Sequence, residues 1–370
     1  MMLETVRAFA LHELGETGEL DDVHRLHALH YLNLLRHLAP LTRGRGDKVI
    51  EARRRFELEH QNVNEALAWV LAENAPASRS SIGVAICAVT HPLWVGGGYD
   101  LEGIRWMERA VTVAGPADSP EMASCLSSLS LDLKSRDLAR ALDLAQRGVA
   151  MWRRLDDKEG LSTALSRSAV LESHRGNHDI ARRHGEEAVM LAREAGADSQ
   201  LANALAQLSN AEAVAQNPAR SLELISEAVQ ISEEHGDDEG TLMYRSIAAC
   251  GLREVGRLAE ARHEMSALIP QCLMWFSPEN LAYLAEDYGA ILAAAGDHEE
   301  AVRLLGAADS ARDRIGAVRS RVQAEEIAAP FASARSALPS PAWERAYASG
   351  QERTVESVLM DAYAAYNGVE

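Results

Sequence analysis

The chain of 370 residues is 47% hydrophobic and 25% charged, as expected of a soluble globular protein rather than a disordered one. Its net charge of −18 argues against a nucleic-acid-binding surface, because contacts to phosphates need clustered lysine and arginine. Its four cysteines are scattered, which is typical of reduced thiols in a cytoplasmic protein. We find neither an uncharged run long enough to span a bilayer nor a signal peptide at the start, so we expect a cytoplasmic location.

Residues 1–74 predict an N-terminal helical region. Apolar residues recur at helical spacing in four stretches, over 2–14, 21–38, 47–58 and 63–72, with a Gly- and Arg-rich loop over 40–47. Residues 74–80 are the best early linker. Residues 75–118 predict a divergent helix pair, with Gly96-Gly97-Gly98 as its turn rather than a phosphate-binding loop.

A regular array is predicted over residues 119–315, where a short turn signature recurs five times. Each step is 40 residues (176 − 136), with no insertion or deletion. A fixed period of this size indicates a solenoid, in which each unit buries its apolar face against its neighbours. The signatures are Arg136-Asp137, Gly176-Asn177, Gln216-Asn217, Gly256-Arg257 and Gly296-Asp297.

One unit, residues 160–196, shows the physical basis of the pattern. Apolar residues follow a helical period up to Gly176-Asn177 and resume it afterwards. Glycine accepts the left-handed backbone that ends a helix, and Asn or Asp can cap the next helix. The small residues Ala181 and Ala188 lie two turns apart on one face, so we expect the second helix to approach the first closely there. Each unit is therefore predicted to be an antiparallel helix pair.

Residues 316–370 predict a C-terminal helical cap. Three proline-punctuated stretches, over 318–335, 340–349 and 352–366, have helical periodicity. A cap is expected because the last repeat would otherwise expose its apolar face.

The array resembles the tetratricopeptide repeat. Small residues stand where that family has one in the middle of its first helix, at Ala169, Ser209, Ala249 and Gly289. The family's period is about 34 residues, so the extra residues of each unit predict longer helices. The resemblance implies an all-α fold, a right-handed superhelical solenoid of tetratricopeptide-like helix pairs with a period of about 40 residues.

A second resemblance covers essentially the whole chain. It rests on four ordered segments, 2–10, 58–69, 103–110 and 301–308, the last followed by Gly316, Trp343 and Gly350. The series is similar to the C-terminal region of large bacterial signal-transduction ATPases that regulate transcription, of the LuxR-type, maltose-activator-like and antibiotic-regulator-like kinds. In such proteins the first segment follows a nucleotide-binding domain and a winged helix, and the repeats act as sensor and arm. No phosphate-binding loop occurs in this chain, so no cofactor is expected.

Two clusters have residue types that could form catalytic or metal sites. His24, His27 and His30 recur every three residues, but no carboxylate ligand accompanies them at matching spacing. Glu59-His60 could be an acid–base pair, but no nucleophile or oxyanion motif accompanies it. A packed or solvated histidine face and a helix start explain these residues more simply. We therefore expect no catalytic residue and no metal site.

The concave groove of the repeats is the better candidate site. In tetratricopeptide arrays four positions of the first helix face the groove, and an aligned side chain there could hold a peptide backbone or a carboxylate. The candidate ligand or partner residues are Asn203, Asn210, Arg245, Arg253, Tyr283 and Glu286. The full aligned set is Thr163, Ser166, Val170, Ser173; Asn203, Ala206, Asn210, Ala213; Met243, Ser246, Cys250, Arg253; and Tyr283, Glu286, Ala290, Ala293.

Three functions were compared. The first is a non-catalytic protein-interaction or ligand-sensing module of a transcriptional regulator, which binds a peptide, a protein partner or a small effector. The second is a stand-alone tetratricopeptide adaptor without a regulatory ATPase. The third, an enzyme, lacks support because no triad, paired carboxylates or metal set stands out. The identity of the ligand and the oligomeric state stay open.

Overall fold

The computed structural model describes residues 4–42, 47–115, 117–319 and 321–368. The described chain is helical throughout, with 86% of it in helices and no strand among the described residues. The helices are α1 (Glu4–Thr17), α2 (Leu20–Leu38), α3 (Asp47–Val70), α4 (Ala77–Gly97), α5 (Asp100–Val113), α6 (Pro120–Asp132), α7 (Leu138–Leu155), α8 (Lys158–Arg175), α9 (His178–Ala195), α10 (Asp198–Val214), α11 (Pro218–His235), α12 (Asp238–Glu254), α13 (Leu258–Trp275), α14 (Pro278–Ala295), α15 (His298–Ile315), α16 (Arg321–Ala337), α17 (Ser340–Gln351) and α18 (Val355–Asn367). A short 3₁₀ turn (Ala39–Thr42) follows α2.

The predicted fold class, an all-α array of tetratricopeptide-like helix pairs, is confirmed. The described residues divide into two compact units. The first holds those up to Leu133 together with Ala139–Gly160, and the second holds Lys134–Leu138 and those from Leu161 onward. The four-part division of the sequence and the handedness of the superhelix stay predictions. Within the described residues, no helix is long and apolar enough to cross a membrane.

The first unit differs from its sequence prediction at α3. Two helices were expected, joined near Glu59–Asn62, but α3 runs without a break from Asp47 to Val70. The polar stretch is helical because its side chains find partners: Glu59 accepts hydrogen bonds from the Tyr31 hydroxyl at 3.0 Å and from the Asn62 amide at 2.8 Å. Met2, Leu3 and residues 43–46 of the predicted loop over 40–47 lie outside the described residues.

The 40-residue period is confirmed in the helix starts. The second helices of successive pairs, which we call B helices, begin at Leu138, His178, Pro218, Leu258 and His298 (178 − 138 = 40). The first helices, which we call A helices, begin at Lys158, Asp198, Asp238 and Pro278. Most of these helices have 18 residues. The extra residues of each unit thus lengthen its helices, as predicted.

Four of the five turn signatures share one backbone conformation. Gly176, Gln216, Gly256 and Gly296 all have positive φ, between 60° and 95°. The residue after each donates its amide to the carbonyl five positions earlier, as Asn177 does to Glu172 at 2.8 Å. This bond satisfies a carbonyl at the end of the A helix and reverses the chain. The first signature differs, because Arg136 lies in a turn without positive φ.

The asparagines of the turns do not cap the next helix as expected. Asn177 makes no side-chain cap bond and instead donates its amide to the Glu172 carboxylate at 2.8 Å. Asn217 does the same with Glu212 at 3.1 Å. Both glutamates are more than nine-tenths buried, so this hydrogen bond supplies a partner that a buried carboxylate needs. The asparagine therefore locks the turn to the A helix that precedes it.

The A and B helices of each pair cross at small residues, as predicted. Ala169 and Ala181 pack together with Ala211 in one buried cluster. In the next pair the Ser209 hydroxyl donates to the Ser221 carbonyl at 2.9 Å. In the last pair a Cβ on Gly289 would lie 3.1 Å from the Ala301 carbonyl oxygen. The helix axes can come this close because the crossing residues carry little or no side chain.

The C-terminal helices close the second unit through another small-residue crossing. A Cβ on Gly306 of α15 would lie 2.2 Å from the Tyr347 carbonyl oxygen, and one on Gly350 of α17 would lie 2.0 Å from the Arg303 carbonyl oxygen. α16 covers the last A helix, where the Phe331 ring lies against Gly289. The three predicted closing helices are therefore present and bury the end of the array.

Replacement of Ala181 by tryptophan should destabilise the protein by roughly 1–3 kcal/mol or more, because the crossing with α8 has no room for a ring. Thermal and urea unfolding of Ala181→Trp and wild type would measure this. Ala219→Trp, on the exposed first turn of α11, is the matched control. Equal loss of stability in both variants would show that the crossing is not the cause.

Candidate functional site

One face of the A helices of the second unit stays open to solvent, and we call it the A-helix face. Its side chains recur at intervals of four and then three residues along each helix and are at least partly accessible. They are Thr163, Arg167, Val170; Asn203, Gln207, Asn210; Met243, Ile247, Cys250; and Tyr283, Asp287. A ligand of the array can therefore contact the A helices on this face.

The A-helix face differs from the aligned groove positions at the second position of each helix. The second aligned position of each helix is buried: Ser166, Ala206, Ser246 and Glu286 are between 0% and 8% exposed. The accessible position is the next residue, which is Arg167, Gln207, Ile247 or Asp287. Asn203 is partly exposed and Asn210 is exposed, so both lie where a groove ligand could contact them.

Arg245 lines a different surface, a cavity of about 720 Å³ between α11, α12 and α13. Its guanidinium donates to the Glu264 carboxylate at 2.8 Å, and Arg257 and His263 line the same cavity. Leu165, Leu205 and Ala285 fill the equivalent position in the other A helices and are fully buried. Because α12 carries an arginine there, the space between α11, α12 and α13 is less well filled, and the cavity forms.

Glu286 and Tyr283 belong to a buried ion-pair network. Both oxygens of Glu286 accept hydrogen bonds from Arg312, at 2.7 and 2.9 Å, and Arg319 adds a bond at 2.6 Å. The Gln323 amide also donates to this carboxylate, and the Arg312 guanidinium lies 4.3 Å from the centre of the Tyr283 ring. The network joins α14 to α15, to the segment after α15 and to α16. Glu286 is 0% exposed, so its carboxylate serves the fold.

Arg253 lies in a second cluster, at the accessible end of α12. Its side chain is 8% exposed and donates through Nε and Nη2 to Glu254, at 3.1 and 2.5 Å. Its Nη1 is buried and has no hydrogen-bond partner among the described residues. The charges around it are Asp287 of α14 and Glu326 of α16. Arg245 and Arg253 thus have different partners on different sides of α12.

Burial controls the protonation of this cluster. Desolvation, aided by the charge of Glu326, raises the pKa of Asp287 to about 7 although Arg253 opposes the shift. The pKa of the Cys250 thiol is raised well above its ordinary value by desolvation and then by Asp287. Glu326 is exposed to solvent, yet surrounding protein desolvates its carboxylate enough to raise its pKa as well. Asp287 is partly exposed and Glu326 is exposed, so both carboxylates remain accessible to water.

Sequence reasoning missed Asp287 and Glu326. Asp287 is adjacent to an aligned groove position, so a helical wheel aligned on the buried leucines would have found it. Glu326 belongs to α16, which lies outside the array, so the 40-residue period carries no information about it. Cys250 was among the aligned groove positions but not among the candidate ligand residues.

The N-terminal candidates are packed side chains. His24 stacks on the Trp69 ring with centroids 5.4 Å apart, while His27 and His30 contact the edge of Tyr31. His60 does not pair with Glu59: its Nε2 lies 2.6 Å from Glu102 of α5. In the described ranges, no group of three His, Cys, Asp or Glu could hold a metal ion.

Comparison with solved structures gives the same fold at low sequence identity. A Rap protein complexed with Competence and Sporulation Factor superposes with a TM-score of 0.57 at 12% identity, over 92% of this chain and 99% of the other. The apo form of the quorum sensor NprR from B. thuringiensis has a TM-score of 0.52 at 13% identity, over 92% and 99%. The chain therefore has the fold of a tetratricopeptide-like helical repeat array.

A third structure has the same architecture within a longer protein. The signal transduction ATPase with numerous domains from Pyrococcus horikoshii, which has a tetratricopeptide repeat sensor, gives a TM-score of 0.51 at 13% identity. The match covers 93% of this chain and 54% of that protein, so the chain spans about half of its length. A family model described as anaphase-promoting complex subunit 5 matches residues 126–214 and 206–254. No curated protein matches the sequence.

Replacement of Glu286 by alanine should cost about 3–5 kcal/mol of stability, because two guanidinium groups would lose their carboxylate in a buried site. Denaturant unfolding measures the loss. Glu279→Ala, on the exposed first turn of the same helix, should change stability by less than about 0.5 kcal/mol. A similar small effect at Glu286 would contradict the network's role.

Replacement of Asp287 by asparagine should change how stability depends on pH. Because the folded pKa is raised, the stability that Asp287 contributes is complete below its ordinary pKa of about 4 and is lost as the pH rises through about 7. Relative to Asp287→Asn, wild type should lose roughly 2–3 kcal/mol between about pH 5 and pH 8. Unfolding titrations across this range measure the difference. Asp143→Asn, whose side chain is 65% exposed, should track wild type.

Proposed function

We propose that this chain is a non-catalytic interaction module that binds a peptide or protein segment along its A-helix face. The observation that supports this proposal is a difference between the buried and the accessible positions of the repeat. Buried positions repeat in kind, as at Leu161, Leu201 and Leu281, because packing restricts them. The accessible position six residues further along each helix holds Arg167, Gln207, Ile247 and Asp287, which are four chemically different side chains. Such a row of different side chains suits recognition of an extended segment.

The proteins of similar fold support this function by analogy. One was solved with Competence and Sporulation Factor bound, one is a quorum sensor, and one carries the repeats as the sensor of a signal-transduction ATPase. Together with the segments that resemble bacterial ATPase regulators, they favour a sensor module of a cytoplasmic transcriptional regulator. The proposed ligand is a peptide or a protein segment, and a small effector is the alternative.

The way in which the candidate polar residues are used supports the proposal of a non-catalytic module. Glu286 is taken up by Arg312 and Arg319, and Glu59 and His60 contact different partners. These carboxylates and this imidazole serve packing and ion pairs, not a nucleophile and its base.

A stand-alone adaptor is the second candidate, and genome sequence discriminates between the two. A reading frame that continues upstream of Met1 into a phosphate-loop domain would favour the regulator module. An in-frame stop codon and a ribosome-binding site there would favour the adaptor. Both candidates use the same A-helix face.

Panning a random 12-residue peptide library on the immobilised full chain tests the binding function. Recovered peptides should lose at least about tenfold in affinity for Asn203→Ala/Asn210→Ala, which removes two amides from the A-helix face. Gln230→Ala/Gln271→Ala removes two exposed amides from the B helices α11 and α13 and should bind within about twofold of wild type. Peptides that bind both double variants as tightly as wild type would contradict the assignment of the face.

A further inference from the structure

The cavity between α11, α12 and α13 has walls that combine apolar and charged side chains. α11 contributes Leu222 and Val229, which lie two turns apart on one face of that helix, and α12 contributes Leu252. Charged side chains from all three helices line the same space. Its volume of about 720 Å³ falls in the range of cavities that hold small molecules. The cavity therefore has the size and the mixed lining of a small-molecule site.

Arg245 is the residue of this cavity that departs from the repeat. The equivalent residues of the other A helices, Leu165, Leu205 and Ala285, are apolar and 0% exposed. Arg245 instead exposes 32% of its side chain. A leucine at this position would stabilise the array by burying apolar surface, as it does in α8 and α10. The arginine brings a charge to the cavity that the packing of the repeat does not call for.

The ion pair of Arg245 leaves most of its hydrogen-bonding capacity unused. Its Nη2 donates to Oε2 of Glu264 at 2.8 Å, and over the described part of the chain neither side chain makes another hydrogen bond. A guanidinium has several further N–H donors, and an ionised carboxylate has several further acceptor sites. The two side chains are 32% and 39% exposed, so a molecule in the cavity can reach the unused atoms. The neighbouring pair differs, because Arg257 donates to both oxygens of Glu260, at 2.7 and 2.6 Å.

The charges of the cavity favour a ligand that carries both signs. Arg245 and Glu264 neutralise each other, as do Arg257 and Glu260. Glu233, on the α11 wall, has no ion-pair partner among the described residues. A simple anion would add a second unpaired negative charge, and a simple cation would make no use of the free donors of Arg245. A zwitterion avoids both problems, because its carboxylate can accept from Arg245 while its ammonium donates to Glu264 or Glu233.

We propose that this cavity binds a small zwitterion with an apolar body, which is the chemistry of a free amino acid or a dipeptide with apolar side chains. Arg245 holds the carboxylate, Glu264 and Glu233 hold the ammonium, and the apolar walls cover the side chain. None of the accessible residues of the A-helix face lines the cavity. It is therefore a second ligand site, and it does not rest on the proposed peptide binding.

Saturation-transfer NMR titrations of the full wild-type chain with L-leucine, L-phenylalanine and L-leucyl-L-leucine test the ligand class. At least one of the three should bind with a Kd of about 1 mM or tighter, and their order distinguishes an amino-acid site from a dipeptide site. The C-terminal amide and the N-acetyl form of the best ligand each lack one charge and should bind at least about tenfold more weakly. No binding of any of the three at about 10 mM would overturn the inference, as would equal affinity for a form without one of the charges.

Variants of the cavity locate the site. Arg245→Leu restores the residue of α8 and α10, so it should weaken binding at least about tenfold while the Tm stays equal to or above that of wild type. Glu264→Gln should weaken binding at least about threefold, since Glu233 still attracts the ammonium. Arg220→Leu removes an arginine of α11 that is 54% exposed and lies outside the cavity, and it should bind like wild type. Arg245→Gln replaces Arg245→Leu if the melting curve shows that the latter is not folded.

The variant results decide whether the ligand occupies this cavity. Unchanged affinity in the Arg245 variant, or an equal loss in Arg220→Leu, would overturn the inference. Asn203→Ala/Asn210→Ala changes the A-helix face and leaves the cavity intact, so it should bind the zwitterion like wild type. Loss of zwitterion binding in that double variant would place the ligand on the A-helix face and would also overturn the inference. The peptide selections test the face separately.

Discussion

The structure depends on how closely the two helices of each pair can approach. At each crossing a small residue of the A helix meets a small residue of the B helix, as at Ala169 with Ala181 and at Ser209 with Ser221. The left-handed turn then fixes where the B helix starts, because its hydrogen bond reaches back five residues to the A helix. A one-residue insertion in either helix would move the small residue about 100° away from the crossing. The constant period of 40 residues is therefore a packing constraint that every pair must satisfy.

The last pair shows how the array ends without exposing its apolar face. Gly289 takes the small-residue position there, and the missing side chain admits both Ala301 and the Phe331 ring of α16. The same helix brings Gln323 to Glu286, where Arg312, which is buried, and Arg319, which is partly exposed, complete the network. An apolar cap could have covered this surface with less desolvation, since buried ion pairs contribute little net stability. What the network adds is a geometric requirement, because the carboxylate is satisfied in one placement of α16 relative to α14.

Sequence predicted the period, the helix pairs, the small crossings and the closing helices, because these follow from spacing along one chain. The sequence did not predict features in which the interacting residue lies far away along the chain. The polar run Glu59–Asn62 looked like a break, but Tyr31, far away in sequence, supplies the hydrogen bond that stabilises it inside α3. At the second aligned groove position of each A helix the accessible residue is the next one along the chain, because the sequence does not tell which of two adjacent side chains the neighbouring helices cover. A rotation of about 100° separates buried Glu286 from accessible Asp287.

The A helix α12 departs furthest from the repeat, and it does so on two of its sides. Thr241 and Arg245 stand where α8 and α10 have buried leucines, so its outer side pairs with Glu264 and leaves a cavity. On its other side Cys250 and Arg253 stand beside the carboxylates of α14 and α16. A helix that buries fewer apolar side chains contributes less to the stability of the array. Packing alone would favour leucine at Thr241 and Arg245, as the equivalent buried leucines of α8 and α10 show. Polar residues that packing does not require are expected at functional surfaces, and this supports the proposed binding along the A-helix face.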